Sequence, residues 1–576
     1  MPNRHSRCSI ACSAADNFLG CFSPAHHMKS LVGINKHRFV ESLPLILLVI
    51  GLFWLRFTNL GYSDYQGDEI KALFLPEAGQ SFTDFLLAQR KGPTQFVITY
   101  LMGFLDPSYQ NQFLIRMPFA AASLLAAVIF YYFVKMHFGK KVALYAAFFF
   151  SFNGIIVALS RIVQYQSFVI LFYILALFFL TLATKRSPWR TAGLYLGMFF
   201  WALSMLSHFD GIFIAPFVIY LLWQWYKAFP SGKTWAKWMH LFLSGGLVFL
   251  TLGAFYIPFF LNVTDSTKEY WFERLSSGND LISSSIVTFK VYNPRVVFYV
   301  YSVLFLVYLI STAIFLVSSR EKQSSSAESF QMRITSLFVL LWFLFPWLYM
   351  EVLVDVPGTH IYTYLTPLII LISIGVVAAE RLLKQILGDS YGRYFIAVSL
   401  SLLFLFSFYQ SHKVFVDHTR EYPWEEERFL FWTLSEPDVA YNLPLFGFPY
   451  YRHWEQIAGY ITTSEGTGHY YSNEKETISR FYIPLDRNVD ASGHYIRIRN
   501  IQDIYQNWLQ PKAVWWPEHH EPDKIYSSCD YGDFAWGGDF LYVFAPADVQ
   551  CANQRVMAEI YFMTPGSLED ILAERR

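Results

Sequence analysis

The sequence predicts a polytopic α-helical membrane protein with a C-terminal mixed α/β domain, and three observations predict it. Of its 576 residues 54% are hydrophobic and only 15% are charged, against about 25% charged in soluble domains. Apolar runs long enough to cross a bilayer recur between residues 42 and 410. Beyond residue 410 the chain becomes rich in charge, Tyr, Trp, Pro and Gly, as a domain with its own aqueous surface requires. The formal net charge is +0, which gives no indication of nucleic acid or of an acidic partner.

A helix needs about 20 apolar residues to cross ~30 Å of hydrocarbon. On that measure eleven spans are expected, near 42–58, 117–137, 142–160, 165–184, 191–207, 210–226, 239–261, 295–318, 334–353, 361–380 and 393–410. The run 94–105 is too short to cross and is read as a helix lying at the membrane surface. Lys and Arg in short loops stay cytoplasmic. Here they gather before the first span (Lys29, Lys36, Arg38) and in alternate connections: Lys135, Lys140 and Lys141; Lys185, Arg186 and Arg190; Lys227, Lys233 and Lys237; Arg320, Lys322 and Arg333; Arg381, Lys384 and Arg393. The pattern predicts a cytoplasmic N-terminus and an extracytoplasmic C-terminal domain, with residues 59–116 as one long outer loop.

The organisation read from this has three parts: a leader over 1–40, a membrane domain over 41–410, and an outer domain over 411–576. The leader holds Cys8, Cys12 and Cys21, has no apolar run of signal-peptide length, and is read as disordered, with Met28 as an alternative start. In the outer domain Trp454, Ile457, Ala458 and Ile461 have helical spacing, while 540–544 and 560–562 read as strands. Cys529 and Cys551 are either a disulfide or two buried thiols. No CxxC pair occurs, so a zinc or redox centre of that kind is not indicated. Asn262-Val-Thr264 forms a glycosylation sequon on the outer side.

The polar stretch from Gly61 to Pro93 stands out in so apolar a chain. It carries the adjacent carboxylates Asp68 and Glu69, and Arg90 and Lys91 precede the next apolar run. Such a pair of carboxylates can take a proton from an attacking hydroxyl and orient it, or bind a metal; equally, it can cap the helix that starts near Ile70. Lys91 is either an anion-binding cation or an interfacial lysine that snorkels to water. Arg161, with Gln164 and Gln166 beside it, ends the third span, where a cation needs a phosphate, a carboxylate or another partner. His208 and Asp210 form a tight polar turn between spans five and six, read as internally satisfied rather than as a metal site. His360 and Tyr362 open a later helix at the same membrane face. No P-loop, Rossmann fingerprint or serine-hydrolase elbow is present.

Gly67-Asp68-Glu69, Lys91-Gly92-Pro93, Arg116-Met-Pro118, Ser160-Arg161 with Gln164, and His360-Ile-Tyr-Thr-Tyr-Leu-Thr-Pro367 together resemble the protein mannosyltransferase family. This is the set of integral-membrane glycosyltransferases of GT-C fold that includes the lipid A aminoarabinose transferases. The resemblance runs over about residues 40–410. It implies transfer of one sugar from a polyprenyl-phosphate donor to a protein, lipid or glycan acceptor at the outer face of the plasma (inner) membrane, with inversion. It makes Asp68 the general base, Glu69 its neighbour in acceptor positioning, and Lys91, Arg161 and His360 the donor-phosphate site. Gln164, Tyr362, His208 and Asp210 are the further candidates for substrate contact. No cofactor is required; a divalent metal near Asp68 is compatible with the carboxylates but not demanded by their spacing. The chain departs from the family where Gly92 and Thr94 flank a single Pro93, and where Gln164 and Gln166 stand in place of a second charged residue. The competing reading is a transporter or flippase of lipid-linked sugars, which would show paired halves and polar residues in mid-membrane. Here no internal repeat is seen and the polar residues gather on one side.

Overall fold

The computed structural model describes residues 36–418 except 186, 231, 266, 270–271, 273–282, 294, 319–326 and 355–357. Beyond these it describes 428–429, 432–433, 446–464, 468–489, 491–499, 521–530 and 553–562. The chain divides into Met1–Val49 and Ile50–Arg576. Of the first unit, residues 36–49 are described, and they are the N-terminal part of the helix Lys36–Phe57. The second unit carries the elements that position the site.

A backbone in hydrocarbon must satisfy its own hydrogen bonds, so apolar runs become helices. Among the described residues eight helices are long and apolar enough to cross a membrane: Gln112–Phe152, Gln166–Lys185, Phe209–Ala228, Thr234–Leu261, Val296–Ile314, Phe330–Leu353, Gly358–Leu387 and Asp389–Phe415. Ser42–Phe57 is apolar but shorter, and Arg190–Ser207 covers the expected fifth span. The expected span 117–137 falls within Gln112–Phe152 and the first part of 142–160 shares the same helix, which breaks between them at Gly139 with φ 82 and ψ 172. The span expected over 142–160 is itself divided at Asn153. The Asn153 side chain accepts from the Ile155 N–H at 3.0 Å and so caps a new helix, Gly154–Ser160. The short run after Pro93 forms the helix Thr94–Gly103.

Gln166–Lys185 packs between Gln112–Phe152 and Arg190–Ser207, while Tyr362–Leu387 packs on Arg295–Ser318, Ala327–Leu353 and Gln112–Phe152. The two central helices meet where Tyr173 Oη lies 2.6 Å from Thr366 Oγ1. Peripheral helices turn large apolar side chains outward, among them Phe242, Phe249 and Leu250, which suits a surface facing lipid.

The C-terminal segment holds a short antiparallel pair, β1 Arg428–Phe429 and β2 Trp432–Thr433, and a five-stranded sheet in the order β4-β3-β5-β7-β6, with β3 His469–Ser472, β4 Asp486–Arg487, β5 His494–Ile498, β6 Lys524–Asp530 and β7 Asn553–Phe562. β3 pairs in parallel with β4 and β5, whereas β7 is antiparallel to β5 and β6. The expected helix is Trp454–Thr463, with Trp454, Ile457 and Ile461 buried. The expected strand at 560–562 is the end of β7. The strand expected at 540–544 and Cys551 lie outside the described residues, and with Cys551 the disulfide expectation.

This segment is clasped to the first loop. Asp64 N–H donates to Tyr450 O at 2.8 Å, Arg452 N–H donates to Asp64 Oδ2 at 2.6 Å, and Tyr65 N–H donates to Tyr482 Oη at 2.8 Å. The loop that carries Asp68 and Glu69 is therefore fixed from the C-terminal side as well as by the helices.

The break at Gly139 gives a direct test. Its φ and ψ lie in a region open essentially to glycine alone, and nothing stands within 4 Å of an added Cβ. Gly139→Ala is expected to destabilise the protein by about 1–3 kcal/mol through backbone strain alone, read as a lower apparent Tm in detergent. An unchanged Tm would mean that the two helices do not turn there as described.

Candidate functional site

The Gly67-Asp68-Glu69 triplet forms the first turn of a four-residue helix, Gly67–Ile70. Acids favour that position because the first N–H groups of a helix lack partners, and Glu69 answers the expectation: its Oε2 accepts from the Gln66 N–H at 3.0 Å. The same carboxylate does far more. Arg116 Nε donates to Oε1 at 2.9 Å and Arg116 Nη2 to Oε2 at 2.8 Å, a two-pronged ion pair, and Val163 N–H donates to Oε1 at 2.9 Å. Glu69 is 1% exposed and Arg116 2%. The remaining Arg116 donors hold carbonyls of the loop itself, those of Leu60, Ser63 and Asp64.

Asp68 is placed differently. It is half-buried, and among the described residues its carboxylate receives no hydrogen bond and forms no ion pair. Its backbone carbonyl accepts from Gln164 Nε2. The other end of that amide, Gln164 Oε1, accepts from Lys91 Nζ at 3.0 Å. One glutamine thus ties the residue with the uncommitted carboxylate to the lysine cation.

Lys91 reaches this place because Gly92 packs directly on another chain segment. A Cβ at Gly92 would stand 2.0 Å from Leu206 O and 2.9 Å from Ser207 O, so only glycine allows the loop to meet the end of Arg190–Ser207. Lys91 Nζ then lies 5.3 Å from the centre of the Tyr165 ring, within cation–π range. Tyr165 stacks on His208 at 4.1 Å and 9°.

His208 begins the short turn Phe209–Ile214, and its Nδ1 lies 3.1 Å from Asp210 Oδ1. From a helix start 150 residues away, His360 Nδ1 comes to 2.7 Å from Asp210 Oδ2, and Tyr362 Oη donates to the same oxygen at 2.6 Å. Burial lowers the His208 imidazole below its ordinary value, against the opposing pull of Asp210. Burial thus favours the neutral imidazole at His208.

Arg161 joins neither group among the described contacts. It is 6% exposed, and its guanidinium donates to Leu55 O at 2.8 Å and Asn59 O at 3.2 Å. Burial, with Arg116 and Arg56 nearby, pushes it down to about 9. In this structure it secures the carbonyl end of the Lys36–Phe57 helix. Gln166 Nε2 reaches Thr359 Oγ1 at 3.5 Å.

Three features of the site escape the sequence. Arg116 enters it only as part of a motif, although a cation opening an apolar run signals a buried partner. Tyr165 gives no signal, since an aromatic among apolar residues is ordinary. The approach of the C-terminal segment, which brings Lys475 against Gly67, cannot be read from local pattern.

Residues 96–257 match the family model described as dolichyl-phosphate-mannose-protein mannosyltransferase. The matched stretch begins after Lys91 and ends before His360, and it includes Arg116, Arg161, Gln164, His208 and Asp210. No curated protein matches the chain. Among solved structures it is similar to ArnT from Cupriavidus metallidurans bound to undecaprenyl phosphate, with 12% identity, a TM-score of 0.48, and coverage of 90% of this chain and 98% of that one. It is similar also to the Archaeoglobus fulgidus oligosaccharyltransferase in the apo form, with 9% identity, a TM-score of 0.44, and coverage of 78% and 65%. A third is the arabinofuranosyltransferase AftD from Mycobacteria, with 11% identity, a TM-score of 0.45, and coverage of 92% and 40%.

The adjacent carboxylates should separate cleanly in a stability measurement. Glu69→Ala leaves Arg116 buried without its counter-charge and is expected to cost about 3–5 kcal/mol. Asp68→Ala breaks no side-chain contact and should stay within about 0.5 kcal/mol of the parent. Unfolding of both variants in detergent checks this; equal losses would show that the two acids share one structural role.

Proposed function

We propose that this multi-pass membrane protein transfers a single sugar from a polyprenyl-phosphate donor to an acceptor at the extracytoplasmic face, with inversion at the anomeric carbon. The likeness of residues 96–257 to the dolichyl-phosphate-mannose-protein mannosyltransferases supports the reaction class. The division of labour between Asp68 and Glu69 supports the mechanism, and it is the observation that carries the reading. Glu69 is committed to Arg116 and two backbone N–H groups, while the neighbouring carboxylate has no protein partner among the described residues. A base must have a lone pair to offer.

In the proposed step Asp68 takes the proton from the acceptor hydroxyl as the acceptor oxygen bonds to the anomeric carbon. The bond from that carbon to the phosphate oxygen breaks on the opposite face, and the lipid phosphate leaves with the electron pair. Lys91 and His360 would meet that growing negative charge, and such groups act most strongly where water is excluded. Glu69 serves this step through position: its bonds to Arg116 and Val163 fix the turn on which Asp68 stands. The bias of Lys and Arg toward the opposite loops supports the extracytoplasmic placement.

The test is sugar transfer from a panel of radiolabelled polyprenyl-phosphate hexoses by purified protein, with crude membranes as the acceptor source. Asp68→Asn is expected to lower turnover by about 10²–10⁴-fold, the range for loss of a general base, with donor affinity unchanged. Lys91→Met should weaken donor binding as well as turnover. Equal turnover in wild type and Asp68→Asn would remove Asp68 as the base. Movement of intact lipid-linked sugar between leaflets, without release, would overturn the transferase reading in favour of a flippase.

A further inference from the structure

Two chain segments deliver their polar groups to one buried carboxylate. Asp210 is 5% exposed, and its oxygens lie 3.1 Å from His208 Nδ1 and 2.7 Å from His360 Nδ1. The ligand-bearing atoms of the three residues all fall within 4.8 Å of one another. In a tetrahedral zinc site, with bonds of about 2.0–2.2 Å, neighbouring donor atoms stand about 3.3 Å apart. The two imidazole–carboxylate spacings, 3.1 and 2.7 Å, lie within about 0.6 Å of that.

His208 Nδ1 lies 3.2 Å from the Asp210 backbone N and 3.1 Å from Asp210 Oδ1, so this ring nitrogen is turned into the cluster. A neutral imidazole with its lone pair on that nitrogen is the form that ligates a metal. Tyr362 Oη, donating to Oδ2 at 2.6 Å, has the place of an outer partner that orients a ligating carboxylate.

We propose that His208, Asp210 and His360 bind one divalent transition-metal ion of the zinc class, with at least one coordination position left open. Two imidazoles and a carboxylate are the donor set that zinc and its neighbours favour, and three protein ligands with an open position distinguish a reactive site from a purely structural one. The protein backbone predisposes the site: His208 and Asp210 lie on one tight turn, and His360 stands at the start of the next central helix. The aromatic face of Tyr165 lies over His208 and carries Lys91 on to the same neighbourhood. An ion here adds positive charge beside the lysine that the proposed reaction uses for the lipid phosphate. That consequence rests on the transferase reading, whereas the binding of the ion does not.

The experiment is a titration of untagged, EDTA-treated full-length protein in detergent with Co²⁺, monitored by the visible d–d absorption of the bound ion. One equivalent is expected to bind, with Zn²⁺ displacing it. Asp210→Asn and His360→Ala should abolish the absorption. Tyr362→Phe, which keeps all three ligands, should weaken binding by about 10–100-fold, the usual effect of losing an outer partner. Absence of a d–d band in the wild-type protein overturns the proposal even if the ligand variants do not fold, and so does a band that survives unchanged in folded His360→Ala. Stoichiometric Co²⁺ binding in a protein that transfers no sugar would uphold the metal site and count against the transferase reading alone.

Discussion

The buried ion pair between Glu69 and Arg116 is the contact on which the first loop depends. A guanidinium that opens an apolar helix is costly to bury without a counter-charge, and a carboxylate at 1% exposure is equally so. Each is stable there because the other is present, and because both have further partners. Arg116 holds three carbonyls of the loop, and Glu69 accepts from the Gln66 and Val163 N–H groups. The pair therefore ties the Gly67–Ile70 turn, the start of Gln112–Phe152 and the connection after Ser160 into one rigid unit.

That rigidity explains how two neighbouring acids come to differ. On a helical turn adjacent side chains diverge, so a turn that buries Glu69 against Arg116 must direct residue 68 elsewhere. The chain gains a carboxylate held at a fixed place by its backbone while its side chain stays uncommitted among the described residues. The clasp from the C-terminal segment acts on the same turn, through Asp64, Tyr65 and the Lys475 side chain against Gly67. The C-terminal segment thus contributes to the geometry around Asp68 although it is built on a separate sheet.

The fold class was legible because it follows from composition and run length: a run of some 20 apolar residues has one good solution in a bilayer. The breaks were not. Asn153 splits an apolar stretch because its side chain offers a cap that hydropathy does not register. In the site, the residues themselves could be picked out, since Asp68, Lys91, His208 and His360 are each conspicuous in apolar surroundings. Their pairing could not. His208 and Asp210 read as a closed turn because the group that changes their meaning, His360, lies 150 residues further on. Arg161 shows the reverse: its position suggested an anion, and the structure gives it the carbonyls of Leu55 and Asn59. A local pattern cannot distinguish a phosphate from the end of a helix, because both present oxygen to the cation.

Gln164 joins the carboxylate to the cation. Its amide donates to the Asp68 carbonyl and accepts from Lys91, so the separation of the two residues is set by one planar group of fixed size. On the proposed reaction, the base must reach the acceptor on one face of the anomeric carbon while the cation meets the phosphate on the other. A neutral amide suits that junction better than a charged side chain would. An acid there would pair with Lys91 and diminish its attraction for phosphate, and a cation would repel it. The aromatic stack of Tyr165 on His208 extends the same chain of contacts toward Asp210, with Lys91 over the Tyr165 ring face. On the proposed reaction, that ring face and the neutral amide leave the lysine's charge undiminished by either contact when the lipid phosphate arrives.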